Sequence, residues 1–143
     1  MEYLIGVGVA LAVAGLAAGV GFDRDSFGST VLIVTASYYV LFATMADSAR
    51  PLVIESVIAS AFLLVAVLAF KSNPWLVPAG MAAHGVFDIF HGSLIHNSGM
   101  PVWWPGFCLA FDAIFGGWVA VVLLRRSRPA LSGASHQSRD ARS

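Results

Sequence analysis

"YLIGVGVALAVAGLAAGVGF", residues 3–22, has no charged side chain along its length. A helix needs about 20 consecutive apolar residues to cross the hydrocarbon core of a bilayer, and this run supplies them. Four further runs of similar length follow. Residues 27–46 carry Ser, Thr and Tyr but no charge. Residues 52–70 carry one charge, Glu55, and residues 105–124 carry Asp112. Residues 74–95 contain "HGVFDIFHG" (84–92), with His84, Asp88 and His91. The composition agrees: 58% of the 143 residues are hydrophobic, 11% are charged, and the mean hydropathy is +0.80. Soluble domains are about 25% charged. The sequence therefore predicts an all-α integral membrane bundle of five transmembrane helices forming one domain over 1–124. Glu2 is the only charge flanking the first run on its N-terminal side. A signal peptide needs a basic segment there, so the first helix is expected to be retained.

The breaks between runs suit short turns. "DRDS" (23–26) offers Ser26 as a candidate N-cap. "DSARP" (47–51) and "KSNP" (71–74) each end in a proline suited to the first turn of a helix. "HNSGMPVWWP" (96–105) is the longest connection. Residues 125–143, "RRSRPALSGASHQSRDARS", are polar and predict a disordered tail. "GLAAG" (15–19) has the GxxxG spacing that lets membrane helices touch, within the bundle or between copies.

With five spans the two termini lie on opposite sides. Arg24, Lys71, Arg125, Arg126, Arg128, Arg139 and Arg142 then share one side, and Arg50 stands alone on the other. Cytoplasmic segments carry the excess of Lys and Arg, so the tail is expected in the cytoplasm and the N-terminus outside. Trp103 and Trp104 fall at the outer interface and Trp75 at the inner one, where interfacial anchoring accounts for them. This orientation sets depths. At about 1.5 Å per residue, Asp88 and Asp112 each lie roughly 10 Å below the outer surface, His91 roughly 6 Å and His84 roughly 16 Å. Glu55 is about one turn down. Tyr38 and Tyr39 lie in the outer half of the second helix.

Positions 84, 88 and 91 fall within about 60° of one another on a helix. Cys108 and Asp112, four apart, also share a face. A carboxylate facing lipid costs about 2.5–3.5 kcal/mol, so these groups should point into the bundle. There they pair, bind a metal or exchange protons. His84 and His91 are about 10.5 Å apart along the axis, which is awkward for one ion. Asp88, His91 and Asp112 form the better trio for a divalent metal such as zinc, although HExxH is absent. Asp–His pairs also serve as acid and base near neutral pH, with Tyr38 or Tyr39 as a hydroxyl donor. His84 and Glu55 would support either centre. Two plainer roles stay open: Glu55 could pair with Arg50, and Asp–His bonds could only fasten helices together. Cys108, the single cysteine, reads as a small packing residue.

The net charge of zero argues against a nucleic-acid partner. The expected partners are membrane lipid and a small apolar or lipid-like substrate. The leading expectation is a membrane-embedded enzyme using Asp88, His91 and Asp112, assisted by His84 and Glu55. The alternatives are a proton-coupled transporter or channel subunit, which with five spans requires a homo-oligomer, and a non-catalytic scaffold.

"FDRDSFGSTVLIVTASYYVLFATM" (22–45) and "HGVFDIFHGSLIHNSGMPVWWPGFCLAFD" (84–112) together resemble a group of small, uncharacterised bacterial multi-pass membrane proteins, a domain of unknown function. The resemblance implies a multi-pass fold over most of the chain except the tail, and a bacterial inner membrane. It implies no activity.

Overall fold

The computed structural model describes residues 1–21 and 24–127. They form five α-helices: α1 Glu2–Val20, α2 Arg24–Ala43, α3 Ala49–Lys71, α4 Leu76–Leu94 and α5 Trp104–Ser127. Among the described residues, four helices are long and apolar enough to cross a membrane: α1, α2 (from Ser26), α3 and α5. The exception, α4, holds His84, Asp88 and His91, which lower its apolar character.

Helix ends follow local chemistry. α1 stops at Gly21, whose φ of 69° is left-handed and whose N–H bonds the Ala17 carbonyl; glycine takes that conformation without steric cost. α3 starts behind Ser48 in extended geometry, with Pro51 inside its first turn. Asn73 Oδ1 accepts the Trp75 N–H at 3.1 Å ahead of α4. α2 ends at Ala43, earlier than position 46, and α3 begins at Ala49, earlier than position 52. The first three residues of the expected tail continue α5 to Ser127. Residues 128–143, where disorder is expected, lie outside the described residues, as do Phe22 and the first residue of the "DRDS" turn, Asp23.

Side-chain meetings fix how the helices run. Along α4 and α5, Gly85 lies over Leu109 and Gly116 over Met81, so these two are antiparallel. α3 is antiparallel to α4, with Glu55 at His91 and Phe62 at His84. α2 runs with α4: Gly28 faces Val77, Gly80 faces Leu32, and Tyr39 reaches Asp88. α1 runs with α5, Gly6 against Phe107 and Gly106 against Tyr3. α4 thus packs against α5, α3 and α2, while α5 separates it from α1.

The core divides along its length. One half is apolar: Leu32, Ala66, Ala69, Val77, Met81, Phe115, Val119 and Leu123 form part of one cluster. The half toward the α2–α3 and α4–α5 connections holds Glu55, His84, Asp88, His91 and Asp112, all buried. The outside is apolar. On α4, Val86, Ile89 and Phe90 are 54%, 60% and 53% exposed, whereas His84, Asp88 and His91 are 1%, 3% and 0% exposed. The outward face of α4 is thus apolar and its inward face carries the ionisable groups.

Glycine spacing separates real contacts from apparent ones. A Cβ at Gly6 would lie 2.4 Å from the Phe107 carbonyl oxygen, whereas Gly15 and Gly19 of "GLAAG" have nothing within 4 Å. Gly6→Ala is therefore expected to destabilise the bundle by about 1–3 kcal/mol, and Gly15→Ala to leave it unchanged. Denaturant titration of the purified protein in detergent, followed by circular dichroism, measures both.

Candidate functional site

The five buried ionisable groups and Tyr39 form a continuous column. At its upper end His91 donates through Nε2 to Glu55 Oε1 at 2.6 Å. The Tyr39 ring stacks on His91, centroids 4.4 Å apart and planes at 26°. The Tyr39 hydroxyl then donates to Asp88 Oδ1 at 2.5 Å. Asp88 Oδ2 stands 3.6 Å from His84 Nδ1. At the lower end His84 donates through Nδ1 to Asp112 Oδ2 at 2.6 Å. Phe62 meets the His84 ring edge-on at 5.0 Å, and Phe87 meets His91 the same way at 5.2 Å. These rings shut water away from the imidazoles and lower the local dielectric, which strengthens each charge-assisted bond.

Several elements hold this geometry. α4 presents 84, 88 and 91 on one face because they repeat close to 3.6 residues per turn. Gly85 lets α5 approach: a Cβ there would already touch Leu109 and Asp112. Gly92 has open space around it and contributes no such contact. Asn97, buried in the α4–α5 connection, donates through Nδ2 to the Tyr39 carbonyl at 3.4 Å and accepts the Gly99 N–H at 3.2 Å. It ties the connection to the helix that carries the tyrosine.

The structure regroups the expected set. His91 does not join Asp112; its Nε2 is engaged by Glu55, and His84 takes the place beside Asp112. The reason lies in the α4–α5 connection. It dips into the bundle, with Ile95 and Asn97 buried and Gly99 against the Phe42 carbonyl. α5 therefore starts below the level where α4 ends, which carries Asp112 down to His84. Glu55 pairs with His91 rather than with Arg50, which sits on the exposed first turn of α3. Of the two candidate tyrosines, Tyr39 enters the column at 1% exposure and Tyr38 stays 38% exposed. Cys108 is buried one turn from Asp112. Phe62, Phe87 and Asn97 carry no signal that a single sequence distinguishes from ordinary packing or loop residues.

What can this arrangement do? An Nδ1–H bond to a carboxylate fixes the imidazole tautomer and leaves Nε2 with a lone pair. In the described structure His84 Nε2 has no hydrogen-bond partner, and neither do Asp88 Oδ2, Asp112 Oδ1, Glu55 Oε2 or His91 Nδ1. Buried polar atoms are ordinarily paired, so these are groups with capacity for a ligand or a proton. His84, Asp88 and Asp112 each offer an atom within 4.8 Å of the others, close enough to hold a metal ion. Ligands on a tetrahedral ion with bonds of about 2.0–2.2 Å stand about 3.4 Å apart. The 2.6 Å His84–Asp112 contact is shorter, so these two share a hydrogen as they stand. Binding an ion between them would require them to part by about 0.8 Å.

Comparison of the chain with protein-family models, with curated proteins and with solved structures finds no match. The geometry alone carries the functional reading.

Tyr39→Phe is expected to cost about 1–3 kcal/mol by leaving Asp88 Oδ1 unpaired. A double-mutant cycle on His84 and Asp112 should give a coupling of about 0.5–3 kcal/mol. The same cycle on Asp112 and Glu55, which sit at opposite ends of the column, should give less than about 0.5 kcal/mol. Equilibrium unfolding in detergent measures all three.

Proposed function

We propose that the protein is a membrane-embedded enzyme acting on a small apolar or lipid-like substrate, with His84, Asp88 and Asp112 at its centre. The observation that carries the reading is the His84–Asp112 hydrogen-bonded dyad, around which His84 Nε2 and Asp112 Oδ1 are buried without a hydrogen-bond partner and Asp88 Oδ2 stands 3.6 Å from His84 Nδ1. A scaffold that only joins helices gains nothing from leaving such atoms unpaired, since each costs about 1–3 kcal/mol. In this reading Asp112 holds the imidazole, His84 Nε2 takes up and returns a proton, and Asp88, braced by Tyr39, stabilises the charge that develops. The Glu55–His91 pair backs the column from above.

All five helices, α4 included, span the membrane in this proposal, with the N-terminus outside and the C-terminus in the cytoplasm. The compartment is a bacterial inner membrane, and the column opens toward the outer leaflet. The seven-to-one division of Lys and Arg supports that orientation. The blind end of the column speaks against a proton-coupled transporter. Below His84 the described core is mainly Met81, Val77, Leu32 and Phe115; Ser29 adds a buried hydroxyl, and none of the described buried residues there is ionisable.

A second reading has the same residues holding a divalent metal such as zinc, favoured by the 4.8 Å clustering of His84, Asp88 and Asp112. There the ion would act as Lewis acid and Glu55–His91 would remain outside its ligand set.

One experiment addresses both. Proteoliposomes of wild type and Asp112→Asn are incubated with a bacterial lipid extract, and lipid composition and protein-bound metal are measured by mass spectrometry. A lipid species consumed by wild type and spared about 10²–10⁴-fold by the variant is expected for loss of the dyad. One equivalent of metal in wild type, lost in the variant, would select the metal form. Identical lipid profiles with a folded, metal-free wild type would remove the enzyme reading.

A further inference from the structure

Where α3 begins and α4 ends, the two helices enclose a cavity of about 380 Å³, within the roughly 300–1,000 Å³ of small-ligand sites. Its lining is amphiphilic. Ser48, Arg50, Ser93 and His96 supply the polar part, and Ile54 and Leu94 belong to the apolar part. Gly92 is also on the wall, and a Cβ added there would meet nothing within 4 Å. A larger side chain at 92 would therefore enter the cavity and not the bundle.

The charge in this cavity has no counterpart. Arg50 is the single Lys or Arg among the described residues at this end of the bundle. Among the described residues it makes no ion pair, and no carboxylate lines the cavity. Glu55, the nearest acid along α3, is bonded to His91. Asp47, three residues before Arg50, is outside the lining. Ser48 precedes α3 without capping it, so its hydroxyl can donate elsewhere, and His96 adds a ring N–H. The Ser93 hydroxyl is spent on the Phe90 carbonyl at 2.7 Å. A guanidinium fork flanked by neutral donors, with no competing anion, is the donor set that phosphate oxygens fit.

Depth says which phosphate. α3 has 23 residues, about 34 Å, slightly more than the ~30 Å hydrocarbon core, and it is among the helices long and apolar enough to cross a membrane. With α3 across the bilayer, Arg50 on its first turn stands at headgroup level. Ile54 lies one turn deeper, and Leu94 is 68% exposed. We propose that this cavity binds the phosphate of an anionic phospholipid. Arg50 holds two phosphate oxygens, Ser48 and His96 donate to the others, and Ile54 and Leu94 lie against the first methylenes of an acyl chain. A free phosphate would gain nothing from that apolar wall. The inference rests on α3 crossing the membrane and is independent of the enzyme reading, since Arg50 and His96 take no part in the hydrogen bonds of the column.

The test uses full-length protein in detergent, titrated with phosphatidylglycerol and followed by native mass spectrometry. Wild type is expected to bind phosphatidylglycerol in preference to a diacylglycerol with the same chains, which lacks the phosphate. Arg50→Gln should weaken that binding about tenfold or more, the loss of one charge-assisted contact. Arg50→Lys keeps the charge without the fork and should fall between the two. Gly92→Phe, whose ring would occupy the cavity, should weaken binding with Arg50 intact. Millimolar inorganic phosphate should leave the lipid in place. Diacylglycerol bound as tightly as phosphatidylglycerol, or equal binding by Arg50→Gln, would overturn the site. Displacement of the lipid by inorganic phosphate would overturn the lipid as its source. Undiminished binding by Gly92→Phe, in protein whose circular dichroism and elution volume match wild type, would place the lipid elsewhere and sink the proposal.

Discussion

Ionisable side chains cannot remain against hydrocarbon at low cost, and this chain places five of them in segments built mainly of Val, Leu, Ala and Phe. Everything about the packing of α4 follows from that constraint. Its imidazoles and carboxylate need partners, so it takes the position where α2, α3 and α5 can each supply one. Tyr39, Glu55 and Asp112 are those partners. Each bond joins α4 to a different helix, and the three together fix its rotation and its height. The glycines at 80, 85 and 116 then let neighbours come close enough for bonds of 2.5–2.6 Å.

The division of the core into a polar half and an apolar half gives the column one closed end. A group that accepts a proton at His84 has the Tyr39–His91–Glu55 side for exchange, whereas on the other side the described buried residues are mainly apolar, with Ser29 the buried hydroxyl and no ionisable group. The imidazoles are ringed by Phe62, Phe87 and Tyr39: dry, aromatic surroundings hold both histidines in one orientation.

Much of this was legible in the residues. The helical content followed from the five apolar runs, and the inward face of α4 followed from the spacing of 84, 88 and 91. That Asp112 and Glu55 point into the bundle followed from the cost of exposing a carboxylate to lipid. The pairing did not follow. Counting 1.5 Å per residue from each helix end assumes that consecutive helices start level, and the connection that buries Ile95 and Asn97 breaks that assumption. A loop that dips is invisible to hydropathy, because Asn97 looks like any turn residue until its amide is seen on the Tyr39 carbonyl. The same holds for Trp104: its position in the sequence suggests an interfacial anchor, whereas its indole nitrogen is buried. "GLAAG" errs in the other direction, since its motif predicts a contact while the contact along α1 is made by Gly6.

The interdependence of α4 has a consequence for how the chain enters a bilayer. α1, α2, α3 and α5 are each apolar enough to partition on their own. α4 carries two imidazoles and a carboxylate whose partners lie on both sides of it in the chain. Tyr39 and Glu55 are already synthesised when α4 emerges, but Asp112 is not. His84 therefore has no carboxylate from α5 until some twenty-eight residues later. The order of the chain thus lets α4 find Tyr39 and Glu55 first, and only the addition of α5 completes the His84–Asp112 bond.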